Sequence, residues 1–267
     1  MSMEVSPRRS ASPQHPLTWL TFIWAWMTFL LAIWLSWHLL AKVDFLYPIW
    51  YKTIGIHEHI QHYAPQNRYK PDFEHTTQAE RMFLFHGIVH GIHHQGNGLE
   101  DLRYHPFSNT SSDASSDDSS DVSSNTGTPL LRPQEVGHLK DVAHLIDQIN
   151  QAALKLFFFW LVLTAWRITK RQTHSFRQVW FLLEILLIPL AIALFVIGPE
   201  TVFNQLHIWA FPADNPWFFY YQDSLMTTLM KAPDLFAYIP ALLVLIGGAL
   251  FSAFNTLLNR FIRRLPE

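Results

Sequence analysis

The chain has 267 residues, 49% hydrophobic and 15% charged, with 11 Trp and 21 Phe, a balance shifted towards lipid-facing surfaces, while a mean hydropathy of +0.09 excludes a chain embedded in lipid throughout. The formal charge of −2 with His neutral leaves no global basic surface and argues against a nucleic-acid partner. Cys is absent, which excludes disulfides, thiolate metal ligands and a thioester on the protein, whereas His is abundant at 15.

Met1 to Pro16 is polar, with Arg8 and Arg9 close before the first apolar run, and reads as a short cytoplasmic tail. Leu17 to Ala41 is uncharged and long enough, at ~1.5 Å per residue, to span the ~30 Å hydrocarbon layer. Residues 42–151 then form a loop large enough for a small domain that rests on the membrane. Within it, Thr76 to Gln95 predicts a helix with an apolar face of Met82, Phe85, Ile88, Val89 and Ile92. His86, His90 and His93 follow an adjacent stripe at i, i+4 and i+7, a spacing compatible with zinc, although no Cys or clearly placed carboxylate joins them on that helix. Ser108 to Thr128 is a Ser/Asp tract with almost no apolar residues, expected to be a disordered insertion because it cannot bury enough surface to offset ordering entropy.

The next helix carries the densest chemistry. Pro133 suits a first helical position, and Glu135-Val136-Gly137-His138-Leu139-Lys140-Asp141-Val142 follows. At 100° per residue, Val136, Leu139, Val142, Ala143, Leu145, Ile146 and Ile149 fall on one apolar arc. Glu135 lies near its middle, His138 at its edge and Asp141 just outside. Carboxylates three residues from an imidazole are its helical neighbours, so either Glu135 or Asp141 is placed to orient His138, although an acidic residue in a first turn also simply complements the helix dipole. The pattern runs on into a second span, Ala152 to Thr169.

Phe176 to Gly198 and Phe236 to Leu258 make the third and fourth spans. Glu184 lies inside the third and is costly there unless paired, which makes it a candidate site residue. Pro189 in the same run is expected to bend it. The basic residues Arg167, Lys170, Arg171, Arg177, Arg260, Arg263 and Arg264 join Arg8 and Arg9 at one side, so both termini are expected in the cytoplasm and residues 42–151 and 199–235 outside. The loop 199–235 mixes His207 and Asp214 with large aromatics, part of which the membrane's aromatic belt explains by itself. Its topology brings His207 to the same outer boundary as His138. The expected fold is an all-α membrane protein of four transmembrane helices with an outward domain between the first two. No internal repeat, phosphate-binding glycine motif or G-x-S-x-G elbow is present.

The E-x-x-H-L-x-D-V entry at Glu135 to Val142, with F-x-x-x-H-x-x-x-F-P-x-D-x-x-W at Phe203 to Trp217, resembles a family of bacterial integral membrane proteins that includes lipoprotein intramolecular transacylase. Ala64 to Tyr69 and Tyr220 to Met226 look like a distinct branch. The resemblance implies a cofactor-free acyltransferase of the bacterial inner membrane. Its substrate would be a diacylglyceryl lipoprotein among membrane lipids, with an acyl chain passing from the glyceryl group to the α-amine of the first cysteine. It maps the two catalytic histidines onto His138 and His207, one taking the amine proton and the other stabilising the oxyanion, with the assignment open. Asp214, Asn215 and Arg68 become supports, and Trp209, Phe211 and Trp217 an acyl-binding surface. Two other readings compete: a metal-dependent membrane hydrolase built on His86, His90 and His93, and a non-catalytic scaffold or sensor whose histidines answer to mild acid.

Overall fold

The computed structural model describes residues 16–106, 127–211 and 216–266. Its described part is almost wholly helical: α1 Trp19–Ala41, α2 Tyr47–Thr53, α3 Ile56–Tyr63, α4 Gln78–His93, α5 Pro133–Thr169, α6 Phe176–Ile197, α7 Pro199–Ala210, α8 Leu225–Met230 and α9 Asp234–Arg264. A two-residue antiparallel pair, β1 Arg103–Tyr104 and β2 Thr128–Pro129, completes it. Four helices, α1, α5, α6 and α9, are long and apolar enough to cross a membrane. At 1.5 Å per residue α5 is about 55 Å long, far more than a ~30 Å hydrocarbon layer, so its first turns stand clear of the lipid.

The bundle is organised around α1, which packs most extensively on α9 and also on α5 and α6. Tryptophan explains how. An indole N–H inside the bilayer must find an acceptor, because no water is there to supply one. The buried Trp24 donates to Thr164 Oγ1 at 3.0 Å, Trp160 donates back to Thr28 Oγ1 at 2.9 Å, and Trp26 donates to the Leu182 carbonyl at 3.1 Å. Each bond ties α1 to a different turn of α5 or α6. Gly247 and Gly248 of α9 permit close approach inside this one chain: a Cβ on Gly247 would lie 2.5 Å from Ile33 Cδ1, and one on Gly248 3.1 Å from Trp180 Cη2. Glu184 is exposed on the outer face of α6.

At one end of the bundle, α2, α3, α4 and the short β pair form a cap. Its core contains Tyr47, Ile60, Leu84, Phe85, Leu99 and Tyr104, but it also takes in Val136 and Leu139 of α5, Leu225 and Leu229 of α8, and Leu235 of α9. Tyr47 stacks on Phe85 at 3.8 Å and donates its hydroxyl to the Leu229 carbonyl at 2.6 Å. The region between the first two spans is thus completed by a helix from between the last two. Thr77 caps α4 by accepting the Glu80 N–H at 3.1 Å, and Phe85, Ile88 and Val89 face the core. Residues 107–126, which hold the Ser/Asp tract except its last two positions, lie outside the described residues; Thr128 is paired with Tyr104.

Candidate active site

Three pieces of chain meet where α5 leaves the bundle for the cap. The first is the α5 N-terminus. Arg132 precedes the helix, and Glu135 reaches back to accept its backbone N–H at 2.6 Å, half of a capping box. The other Glu135 oxygen accepts the hydroxyl of Ser224, the N-cap of α8, whose Oγ accepts the Thr227 N–H at 2.9 Å. Glu135 is fully buried, and burial raises its carboxyl pKa against the opposing pull of Ser224, the Arg132 N–H, Lys70 and the Arg132 side chain. Lys70 is itself buried, donates to the Leu130 carbonyl at 2.7 Å, and is pushed down to about 8 by burial.

One turn on, His138 is buried among aromatic rings: Phe211 lies edge-on at 4.9 Å between centroids and Phe219 at 6.2 Å. Its Nδ1 is buried with no hydrogen-bond partner. Burial, with His207 nearby adding to it and Asp141 opposing, pushes the His138 pKa down to about 4. The Glu135 oxygens are engaged with Arg132 and Ser224, so Glu135 holds the loop before α8 against the α5 N-terminus. Of the two carboxylates expected to orient His138, only Asp141 favours its charged form.

The second piece is α7, which Gly198 at φ 91 and Pro199 at the first position set off from α6. His207 lies in its last turn, 6.3 Å from His138 between ring centroids, and stacks near Phe203 at 4.0 Å and Trp217 at 4.7 Å. His207 Nδ1 is 2.8 Å from the Phe203 carbonyl oxygen. A carbonyl only accepts, so Nδ1 carries the proton and the lone pair of the neutral ring sits on Nε2. The third piece, residues 216–224, supplies Trp217 and Phe219. Arg132 lies over Tyr69 at 4.8 Å and over Phe219 at 5.9 Å, a cation placed one ring away from His138.

Residues 119–232, which contain both histidines, match the family model described as lipoprotein intramolecular transacylase Lit. The solved structure of the membrane integral lipoprotein intramolecular transacylase Lit from Bacillus cereus, in a form with a histidine-to-arginine mutation, matches over 92% of this chain and 91% of its own, with a TM-score of 0.60 and 13% identity. The family match is consistent with a divergent member of the Lit family. At that identity the structural likeness carries the fold alone. No curated protein matches significantly.

The Lit match leaves several expected residues to be placed individually. Phe211 and Trp217 stand against the histidines, whereas Trp209 is 74% exposed, on the outer side of α7. Arg68 is exposed and pairs with Asp223 at 3.2 Å, while its backbone N–H donates to the Gln222 carbonyl at 2.8 Å, so it fastens the 216–224 loop. Asp214 and Asn215 lie outside the described residues. Glu184 is separated from the histidines by the remaining 13 residues of α6, about 20 Å along the axis, and does not join them.

The His86, His90 and His93 stripe does not converge on a point. His93 donates from Nδ1 to the Val89 carbonyl at 2.7 Å and accepts the Trp37 indole N–H on Nε2 at 2.8 Å, leaving no lone pair for a metal. His86 pairs with Asp44 at 2.9 Å, and His90 stacks on His94 at 3.8 Å. The spacing is that of one helix face, but each ring has local partners. Sequence reasoning passed over Arg132, Phe219 and Ser224. A cation before a helix N-terminus opposes the dipole, and that mismatch was the available signal for Arg132. Phe219 is indistinguishable in sequence from its aromatic neighbours.

Proposed function

We propose that this protein is an intramolecular acyltransferase of the Lit type, acting on a diacylglyceryl lipoprotein with His207 as general base and His138 as the neutral hydrogen-bond donor to the oxyanion. What carries the reading is the 6.3 Å approach of the two rings across a wall of Phe203, Phe211, Trp217 and Phe219. That spacing leaves room for one carbonyl carbon between them.

The α-amine of the lipoprotein's first cysteine attacks the ester carbonyl, and its proton passes to His207 Nε2, whose lone pair the Nδ1–H bond to the Phe203 carbonyl orients. His138 stays neutral near pH 7 because its pKa is about 4, and its buried Nδ1–H donates to the tetrahedral oxygen. The C–N bond is made, the C–O bond to the glyceryl group breaks, and His207 returns its proton to the glyceryl oxygen. Donor and acceptor occupy one molecule, so the reaction draws on effective concentration and calls for no cofactor. These roles reverse the order that a carboxylate-oriented His138 suggests, because Glu135 is engaged elsewhere. Phe211 and Trp217 would line the acyl chain. The basic residues Arg167, Lys170, Arg171, Arg177, Arg260, Arg263 and Arg264 gather at the opposite end of the bundle, which favours cytoplasmic termini and an outward site in the inner membrane.

The test is mass spectrometry of the N-terminal lipopeptide of a diacylglyceryl lipoprotein, co-expressed with this protein in a host without other N-acylation. One chain relocated to the α-amine at constant total acyl content is expected. An unchanged lipopeptide, with the protein inserted, overturns the reading.

A further inference from the structure

A second polar site lies in the cap and shares no residue with the histidine pair. A cleft of about 570 Å³ between α2, α3 and the start of α4 is lined by Tyr51, Lys52, His57, Glu58, Glu74 and Arg81 among others. Arg81, only 1% exposed, forms part of that lining. Its Nε donates to Thr76 Oγ1 at 2.8 Å, Nη1 to Tyr51 Oη at 2.8 Å and His57 Nδ1 at 3.1 Å, and Nη2 to the Glu74 carbonyl at 2.7 Å. Four of its five N–H groups are thus used, all on neutral acceptors, and among the described residues no carboxylate lies within ion-pair distance of it. His57 Nδ1 accepts, so its proton sits on Nε2. In the same cleft Glu74 Oε2 is buried without a hydrogen-bond partner, its other oxygen 3.6 Å from His75 Nε2.

Burying a charge without a counter-charge is costly, and here one wall holds an uncompensated guanidinium and an uncompensated carboxylate oxygen that do not meet each other. We infer that the cleft binds a small zwitterion of the phosphoethanolamine type, its phosphoryl group on Arg81, Lys52 and His57 and its ammonium on Glu74 and Glu58. A phosphoryl group fits better than a carboxylate. The Arg81 fork is already occupied, so no bidentate face remains, and the donors left come singly from three side chains, which suits a tetrahedral anion. The same group occurs free in solution or as a lipid headgroup.

The full-length protein in detergent micelles is titrated calorimetrically with O-phosphoethanolamine, glycerol phosphate and ethanolamine. One-to-one binding of O-phosphoethanolamine, at least tenfold tighter than either half-ligand, is expected. Lys52→Met and Glu74→Gln, which leave the four hydrogen bonds of the Arg81 guanidinium in place, are each expected to weaken it at least tenfold with an unchanged circular dichroism spectrum, so the result does not depend on whether an Arg81 variant folds. Native mass spectrometry from nanodiscs of mixed phosphatidylethanolamine and phosphatidylglycerol separates the sources. Retained phosphatidylethanolamine, lost in Glu74→Gln, identifies the headgroup, while binding of the soluble compound alone identifies a free ligand. No binding of O-phosphoethanolamine, equal binding of glycerol phosphate, or variants as tight as wild type overturns the assignment.

Discussion

The division of labour between the histidines is open to an asymmetric test, because Asn and Gln mimic different ring atoms. Asn carries its amide nitrogen on Cγ, where His carries Nδ1, so His138→Asn keeps an N–H at the atom that is buried and unpartnered. With a pKa of about 4, His138 is protonated in roughly one molecule in three thousand at pH 7.5 and acts there as a neutral donor. Losing an oxyanion donor costs on the order of 10²- to 10³-fold, about 3–4 kcal/mol, so His138→Ala should lose that much and His138→Asn should recover about tenfold or more. His207→Gln restores an amide near Nε2 but no base, and is expected to lose on the order of 10²- to 10⁴-fold with no recovery over His207→Ala. Single-turnover transfer on a diacylglyceryl lipopeptide in micelles, followed by mass spectrometry, measures all four. His138→Asn no faster than His138→Ala, or a His207→Gln variant that outpaces His207→Ala tenfold, refutes the assignment.

Stability should fall on mild acidification. His59 and His138 are buried and both titrate near 4 instead of 6.5, His59 through burial first and Lys231 second, so the unfolded chain binds protons that the folded chain refuses. Stability is therefore lost as pH drops from 6.5 towards 4, by up to about 3 kcal/mol for each histidine. Glu135, with its raised pKa, works in the opposite sense above pH 4.5, so the His59 part is read as the difference between wild type and His59→Asn: thermal midpoints whose pH slopes coincide contradict it. Ser224→Ala removes one hydrogen bond to a buried carboxylate and the α8 cap, an expected loss of about 2–3 kcal/mol measurable as a lower melting midpoint in detergent; an unchanged midpoint contradicts the brace. In α9, Gly247→Ala gains about 1 kcal/mol of helix propensity against a contact with the movable end of Ile33, whereas Gly247→Leu also meets the Ile33 backbone, whose Cα is 3.4 Å from where a Cβ on Gly247 would lie, and should lose about 1–3 kcal/mol. A Leu variant as stable as wild type would mean that α1 and α9 part freely.

Much of the architecture could be read from length and period because both report the solvent an element faces. The uncharged run Leu17 to Ala41 coincides with α1, a helix long and apolar enough to cross a membrane, and the 100° spacing that set Val136, Leu139, Ala143 and Ile146 together is the spacing that buries them. Ile149, placed on the same arc, is exposed, because by that turn α5 has left the cap core. What period does not encode is the partner across space. Glu135 stood at the centre of an apolar arc, and that position announced a buried carboxylate, but its partner Ser224 is 89 residues away and in sequence is one serine before a short helix. The His86, His90 and His93 stripe shows the same limit in reverse: spacing on one face was real, while the partners of its outer two rings, Asp44 for His86 and Trp37 for His93, are distant in sequence.

Trp209 lies apart from the histidines for a physical reason. The motif places Trp209 between His207 and Phe211, yet on a helix two residues are about 200° apart, so a residue two steps from a site histidine faces away from it while one four steps on, Phe211, shares its side. The exposed face this leaves on α7, with Leu206, Ile208 and Trp209, contains no buried residue. An apolar face of that kind at the end of a membrane span is at home in the headgroup layer, where an indole anchors well. His138 is buried beside Val136 and Leu139 of the cap core, whereas His207 lies on a helix with no buried residue, so under the proposed reaction the enclosed ring meets the oxyanion, and the more open ring meets the amine and the leaving glyceryl group.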